Sequence, residues 1–261
     1  MKYIFRTLIV SFLGVIALSV TSCKKNGVLP IDPGPDSLKV GLIAYYPFNN
    51  STADSSGNGN TAVNNNATLT TNRFNVANTA YSFNGTSSYM VVADNTALRL
   101  ASGDFSINVW INLAAYNLSY GTEILVKRNA GVAQGWNYGI TGVANLNNNL
   151  PYGVTSFQLS GGSDPLATGN KQISLNQWHM LTTVYYAKQK MMIYYVDGLP
   201  DDVTYNIAAP NANISANMAI GQDSQTTINT NYFLKGKLDD IRIYNRALSV
   251  TSIQKLYNLT Y

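Results

Sequence analysis

The sequence predicts an all-β protein. Segments in which apolar and polar residues alternate with a period of two recur along the chain, and turn-forming residues separate them. The clearest is Phe105–Leu113, where every odd-numbered residue is apolar and Trp110 lies on the opposite face, beneath a loop. Helical periodicity is nearly absent outside the N-terminal segment and the C-terminal stretch Ser249–Tyr257, whose Ile253 and Leu256 can pack down.

A β-hairpin is predicted in the second half of the chain. Trp178–Tyr186 is typical of a strand, Ala187–Gln189 turns the chain, and Met191–Val196 returns antiparallel to the first strand. Asp197 and Gly198 follow, and Asp-Gly is a strong signal for a tight turn because both residues tolerate positive φ. The pattern therefore predicts two neighbouring strands and a second turn after them.

The most informative segment is Lys235–Ser249, which is typical of a strand that starts at a glycine, a polar turn and the first residue of a helix. Ile241 and Ile243 are predicted to share one face of this strand, because side chains two residues apart point to the same side. The remaining large side chains are assigned to the other face or its edge: Leu238, Arg242 and Tyr244.

The N-terminal segment is typical of a secretory signal. Lys2 and Arg6 supply a positive start, and Leu8–Val20 is a short apolar run that ends just before Cys23. The run and the cysteine resemble a bacterial lipobox, which implies that residues 1–22 are removed and that the Cys23 thiol carries a diacylglycerol. The alternative is an ordinary signal peptide followed by an incidental cysteine.

The mature chain is predicted to contain a tether and one domain. Residues 23–40 form the tether, because Asp32–Asp36 contains two prolines that fit neither a helix nor a central strand. Residues 41–261 form the domain. Removing residues 1–22 lowers the formal charge from +4 to +2. No basic patch suggests nucleic acid, and the single cysteine allows no intramolecular disulfide in a monomer.

Eight short segments resemble, in the same order, the laminin-G-like domains of the concanavalin A-like lectin/glucanase superfamily. They are 42–48, 54–60, 80–89, 105–111, 177–179, 195–198, 219–221 and 236–248. The resemblance covers residues 40–258. It implies a two-sheet antiparallel β-sandwich, a jelly roll, with a short C-terminal helix. It also implies that the last strand lies beside the first.

Catalysis is not expected. Glycosidases usually need two carboxylates on either side of the scissile bond, and Glu123 is the only glutamate. Asp201–Asp202 and Asp239–Asp240 are adjacent pairs, whose side chains point to opposite faces of a strand. His179, the only histidine, is predicted to be structural, since no nucleophile motif accompanies it.

The loop Asp54–Asn60 predicts a calcium site. It offers carboxylate, hydroxyl and amide oxygens, which hard cations prefer, with Asp54, Asn58 and Asn60 as the candidate ligands. The resemblance implies a structural calcium held between this loop and Asp239. The alternative is a turn-rich loop in which Asp54 forms an Asx-turn.

Aromatic residues on loops are candidates for sugar binding, because aromatic faces stack on the apolar faces of pyranose rings. Tyr120 and Tyr152 lie in predicted loops and are the preferred platforms. The alternative is that both tyrosines pack against the sandwich, as most tyrosines in β-proteins do.

The resemblance implies a non-catalytic module of an exported lipoprotein that binds a glycan or glycoprotein at the cell envelope of a Bacteroidetes-like bacterium. Contact with the outer membrane is predicted through the lipid anchor only. The surface and periplasmic faces stay open, since Lys24 and Lys25 follow Cys23 where surface anchors often carry acidic residues. The alternatives are a protein-binding adhesion or scaffold module and, third, a glycoside hydrolase. The oligomeric state is not predicted.

Overall fold

The computed structural model describes residues 38–119, 121–128, 135–159, 166–223 and 230–260. The predicted signal peptide, Cys23 and all but the last residues of the predicted tether lie outside these ranges. The cleavage of the signal peptide, the lipid anchor on Cys23 and the boundaries of the tether and the domain therefore stay predictions. Within the described residues, no helix is long and apolar enough to cross a membrane.

Strands are the main regular secondary structure of the described residues, which confirms the all-β prediction. The strands are β1 (Leu42–Tyr46), β2 (Ala62–Asn65), β3 (Thr68–Thr70), β4 (Ala80–Asn84), β5 (Tyr89–Val92), β6 (Phe105–Leu113), β7 (Gly121–Arg128), β8 (Gly135–Thr141), β9 (Thr155–Leu159), β10 (Ala167–Thr168), β11 (Trp178–Tyr186), β12 (Met191–Val196), β13 (Leu199–Tyr205), β14 (Met218–Ile220) and β15 (Lys235–Tyr244). The helices are α1 (Val250–Tyr257) and three short 3-10 helices, Thr96–Arg99, Val143–Asn148 and Thr230–Tyr232.

The strands form two antiparallel sheets, as predicted. In the first sheet the order is β13-β12-β11-β6-β15-β4-β3, and β1 also pairs with β15. In the second sheet the order is β10-β9-β8-β7-β14-β5-β2. Leu42 lies opposite Tyr244 and Tyr46 opposite Ile241, so the last strand does lie beside the first.

The core lies between the two sheets. The odd-numbered residues of β6 are all buried there, which confirms the predicted face of that strand. Aromatic rings fill much of the space: Phe105 stacks on Tyr185 with centroids 5.0 Å apart, and Phe157 lies 5.5 Å from Phe105 and 6.0 Å from Trp136. Large rings suit this layer because each buries a large apolar area.

Helix α1 covers the outer face of the first sheet. Ser249 caps it, since its hydroxyl oxygen accepts a hydrogen bond from the Ser252 amide, and this confirms the predicted start of the helix. Ile253 and Leu256 are buried against the sheet. Trp110 stacks on Tyr257 of the helix, with ring centroids 5.7 Å apart. Arg73, from the loop between β3 and β4, also lies over the Trp110 ring, so the helix and the predicted loop together cover this residue.

A β-bulge in β15 changes the faces predicted for this strand. The register shifts between Asp239 and Arg242, and Asp240 has a left-handed φ of 51°. Leu238 consequently joins Ile241 and Ile243 in the core, and its assignment to the opposite face is wrong.

The bulge also brings Asp239 and Asp240 to one partner. Arg73 donates to Asp239 over 2.5 Å and to Asp240 over 3.2 Å, and its guanidinium lies over the ring of Trp110. The expectation that these two carboxylates point to opposite faces is therefore wrong, because the extra residue interrupts the alternation.

The predicted hairpin is confirmed. Strand β11 pairs with β12, with Leu181 opposite Val196 and Tyr186 opposite Met191. Asp197 and Gly198 then turn the chain into β13 with φ values of 54° and 77°. Positive φ at both central residues gives the type I′ geometry whose twist matches antiparallel strands.

Candidate functional site

The outer face of the second sheet carries polar side chains at the alternate positions of three neighbouring strands. Glu123 lies opposite Gly139, and Gly139 lies opposite Ser156. One step along the strands, Asn137 lies opposite Gln158. The residues between them on β8 and β9, such as Trp136, Tyr138 and Phe157, point into the core. The sheet thus presents a polar surface with an apolar layer beneath it.

These side chains line a cavity of about 280 Å³. Thr122, Thr141 and Asn145 extend the polar lining, and Tyr232 contributes an aromatic ring from the 3-10 helix before β15. The lining therefore combines hydroxyl, amide and carboxyl groups with one phenol and the guanidinium of Arg128, and Ile140 and Leu166 add apolar surface. Pockets that bind small ligands place a few converging polar groups in this way.

Glu123 and Asn137 form the polar centre of the cavity. Glu123 is only 5% exposed, and its Oε1 accepts a hydrogen bond of 2.9 Å from Asn137 Nδ2. Glu123 Oε2 and Asn137 Oδ1 are buried and have no hydrogen-bond partner. Buried acceptors without a partner destabilise a protein, so a ligand that donates hydrogen bonds to them would bind favourably.

Gly139 makes room for this arrangement. A Cβ atom at this position would lie 2.3 Å from the Thr122 carbonyl oxygen and 3.1 Å from Glu123 Oε2. Any larger residue would therefore push against the neighbouring strand and against the carboxylate. Glycine in a strand interior often marks such a close approach.

The environment of Glu123 favours its neutral form. Burial raises the pKa of Glu123, Arg128 lowers it, Asp223 raises it and the hydrogen bond from Asn137 lowers it; the net result is a pKa of about 7. Arg128 compensates only in part, because its Nε and Nη2 both donate to Asp223 Oδ1, over 3.0 and 2.5 Å. The carboxyl group of Glu123 therefore titrates near neutral pH.

A second cavity, of about 520 Å³, adjoins the first and shares Thr122 with it. Tyr116 and Phe233 line it, together with the amide of Asn117 and the ammonium of Lys235. It lies at the end of the sandwich, where the loops after β6 and before β15 meet.

Of the two tyrosines predicted to be sugar-binding platforms, the structure describes Tyr152 only. Tyr152 packs edge-on against Tyr116, with ring centroids 5.4 Å apart, so the structure brings it beside the second cavity. Its role in binding stays a prediction. Tyr120 lies outside the described residues.

The loop Asp54–Asn60 is closed by its own hydrogen bonds. Asp54 Oδ1 accepts from the amides of Tyr45 and Ser56, and Oδ2 accepts from the Ser56 hydroxyl and the Asn60 amide. The bond from Ser56 N to Asp54 Oδ1 forms the Asx-turn that was the alternative to a metal site. Both carboxylate oxygens are therefore already surrounded by donors.

The other predicted calcium ligands are engaged elsewhere. Asn58 and Asn60 direct their amide nitrogens at backbone carbonyls of β1, and Asn60 Oδ1 accepts from Asn95. Asp239 pairs with Arg73 rather than meeting the loop. Among the described residues, no group of three His, Cys, Asp or Glu side chains could hold a metal ion. This arrangement does not fit an oxygen cage, and calcium stays a prediction.

His179 lies at the hairpin rather than in either cavity. Its Nδ1 is 2.9 Å from Asp197 Oδ2, and Asp197 also accepts from the Met180 amide. Both contacts fix the turn that follows β12. The geometry thus fits the structural role predicted for this histidine.

The Glu123 cavity was not recognised as a candidate site from the sequence. The available signal was the run of polar residues at alternate positions of three successive strands: Glu123, Asn137, Thr141, Ser156 and Gln158. Alternation marks these side chains as facing away from the core, but it does not show that neighbouring segments bury them.

The fold and the cavity define a jelly-roll β-sandwich that carries a polar pocket on the face of one sheet. The chain belongs to the concanavalin A-like lectin/glucanases superfamily, whose laminin G model matches residues 84–254, more than half of the chain. No curated protein sequence matches this chain.

Solved structures share the fold. The binding domain of Paraclostridial Mosquitocidal Protein 1 is 18% identical with a TM-score of 0.65; the match covers 85% of this chain and 52% of that one. Domain 4 of AbnA, a GH43 extracellular arabinanase from Geobacillus stearothermophilus in complex with arabinotriose, is 20% identical with a TM-score of 0.60 and coverages of 83% and 98%.

A third similar structure is the binding domain of Botulinum Neurotoxin DC in complex with SialylT. It is 17% identical with a TM-score of 0.62, and the match covers 85% of this chain and 52% of that one. The chain therefore spans about half the length of the two toxin domains and nearly all of the arabinanase domain. At these identities the likeness shows the fold.

Proposed function

We propose that this protein is a non-catalytic binding module that recognises carbohydrate through the Glu123 cavity. The observation that carries the proposal is the pair of buried, unpartnered acceptors, Glu123 Oε2 and Asn137 Oδ1, in a cavity lined by polar side chains. Sugar hydroxyl groups are donors as well as acceptors, so they suit such a lining. Two of the similar structures are complexes with saccharides, which supports this ligand class.

The remaining lining supports the same ligand class. Ser156, Gln158 and Thr141 offer further hydrogen-bonding groups, and Tyr232 offers an aromatic ring. Polar groups that fix hydroxyls and a ring that contacts an apolar sugar face are the usual components of a sugar site.

The absence of catalysis is part of the proposal. Glu123 is the only glutamate, and the carboxylate that influences it among the described residues, Asp223, is held by two nitrogens of Arg128. Glycoside hydrolysis needs a second carboxyl group that reaches the substrate. Asp223 is not part of the lining of the cavity.

The proposal places the domain at the outer membrane of a Bacteroidetes-like bacterium, anchored through lipid on Cys23. The predicted lipobox and the tether that follows it support this location. The domain could face the cell surface or the periplasm from this membrane. Protease treatment of intact cells would distinguish the two orientations, because only a surface-facing domain would be cleaved. Replacing Cys23 with alanine is expected to release the protein from the membrane fraction.

A glycan array tests the ligand class. The mature protein is expected to bind at least one saccharide saturably, and Glu123→Gln is expected to weaken that binding by about tenfold, because a hydrogen bond to a charged group contributes roughly 1.5–3 kcal/mol. Folded protein that binds no glycan would contradict the proposal.

Protein recognition is the second candidate, and one surface favours it. Leu199, Val203 and Tyr205 of the edge strand β13 are 64%, 38% and 63% exposed. Exposed apolar residues on an edge strand are a common site of contact with another chain. Capture of a protein ligand that is lost on Tyr205→Ser, with no glycan bound, would favour this alternative.

A further inference from the structure

The charged side chains of the described residues around the Glu123 cavity have a net negative charge when Glu123 is ionised. Glu123 and Arg128 are the acidic and basic residues of its described lining. Arg128 is neutralised by Asp223 at 2.5 Å. The strands β8 and β9, which form the rest of the face, contribute only uncharged side chains. An ionised Glu123 therefore leaves one uncompensated negative charge beside the ligand.

The two free acceptors lie on either side of one hydrogen bond. Asn137 Nδ2 donates to Glu123 Oε1, so the carboxyl and amide groups lie next to each other. The two remaining oxygens, Glu123 Oε2 and Asn137 Oδ1, consequently flank that bond. Neighbouring donor groups on a single sugar ring suit this arrangement.

We propose, on the basis of the proposed function, that the cavity binds a sugar ring without an acidic group, through adjacent donors to Glu123 Oε2 and Asn137 Oδ1, and that it excludes rings bearing a carboxylate. Excluding acidic rings follows from the sign of the charge: a uronic acid would bring a second anion into a cavity whose nearby guanidinium already binds Asp223. Like charges brought together in a site cost several kcal/mol.

Titration of Glu123 gives the proposal a second measurable property. Among the residues that the structure describes, the charged groups facing Glu123 are Arg128 on the same strand and Asp223 after β14. Burial raises the pKa of Glu123 to about 7, so the carboxylate is ionised at pH 8 and neutral at pH 5. A uronic acid stays ionised at both values. Discrimination against it should therefore be stronger at pH 8 than at pH 5.

The experiment compares matched sugars. The methyl glycosides of glucose, galactose and mannose, and their counterparts oxidised to the uronic acid at C6, are titrated into the mature protein by calorimetry at pH 8 and pH 5. At pH 8 the neutral glycoside that binds is expected to bind at least about tenfold more tightly than its acid. At pH 5 the ratio should fall towards one.

Two variants make the test specific. Glu123→Gln removes the charge while keeping the shape and the acceptor for Asn137, and it should bring the ratio of the two dissociation constants close to one at both pH values. Asp202→Asn, on β13 of the other sheet, removes the same net charge and should leave the ratio unchanged. Thermal melts confirm that both variants are folded.

The outcomes separate this inference from the proposed function. If a glycoside and its acid bind wild-type protein equally at pH 8, or if Glu123→Gln leaves the ratio unchanged, the charge selection is overturned and sugar binding stands. An equal effect of Asp202→Asn would also overturn it, because the selection would then come from overall charge. If folded wild-type protein binds no saccharide on the array or in these titrations, the proposed function fails, and this inference with it.

Discussion

Glu123 combines three properties on an interior strand of the second sheet. It is buried, one of its oxygens has no partner, and burial raises its pKa to about 7. An ionisable group of this kind opposes folding when it is charged, because the unfolded chain solvates the charge better than the cavity does. The ligand proposed here would supply the missing hydrogen bond.

The stability of the protein is predicted to depend on pH through this residue. Below the ordinary glutamate pKa both states are protonated, so Glu123 has no effect there. As the pH rises to about 7 the unfolded state loses its proton first, and stability falls. A shift of this size corresponds to a loss on the order of 3 kcal/mol.

The measurement is urea unfolding of wild-type protein and Glu123→Gln between pH 4 and pH 8. The variant cannot ionise at this position, so its advantage over wild type is expected to be small at pH 4 and to reach a few kcal/mol at pH 8. Comparing the two proteins cancels the contribution of the other titrating groups. A difference that stays constant with pH would show that Glu123 titrates normally.

At the scale of single elements, helix α1 is expected to be an important contributor to stability. Its buried side chains Ile253 and Leu256 cover the outer face of the first sheet, beside Trp110. Leu256→Ala is predicted to cost about 2–5 kcal/mol, because it removes buried methyl groups and leaves a cavity. The control is Gln254→Ala on the exposed side of the same helix, which should change stability by less than about 0.5 kcal/mol.

Thermal or urea unfolding measures both helix variants. A Leu256→Ala protein as stable as the control would indicate that the helix does not pack on the sheet in solution.

The sequence predicted elements whose pattern is local. The alternation of β6, the hairpin of β11 and β12 with its Asp197-Gly198 turn, and the cap of α1 by Ser249 each depend on residues close together in the chain. The bulge of β15 was missed because its geometry involves Arg73, which pairs with Asp239 and Asp240 and lies 166 and 167 residues away. No local pattern encodes that contact.

The pocket was missed for a related reason. Alternation places Glu123, Asn137 and Ser156 on the outer face, and outer faces of antiparallel sheets usually meet water. Their burial depends on segments that come from elsewhere in the chain, among them the 3-10 helix that carries Tyr232. The sequence identifies the polar groups of the cavity, but it does not predict that other segments bury them.

At the scale of the whole molecule, the melting temperature tests the role of calcium. Four hydrogen-bond donors of the protein already surround the Asp54 carboxylate, one of them the Tyr45 amide of β1. Excess chelator is therefore expected to leave the midpoint of thermal unfolding unchanged. A ligand that binds only the native state raises the midpoint. A rise on adding calcium, reversed by chelator, would instead support the calcium site predicted from the sequence.

The position of β15 has a consequence for the order of folding. This strand is laid into the interior of its sheet, between β6 and β4, and β1 pairs with it as well. A polypeptide that leaves the ribosome N-terminus first cannot complete the sandwich until residue 244 has been made. The two sheets therefore close through contacts between segments far apart in the chain, and contacts of that kind form slowly.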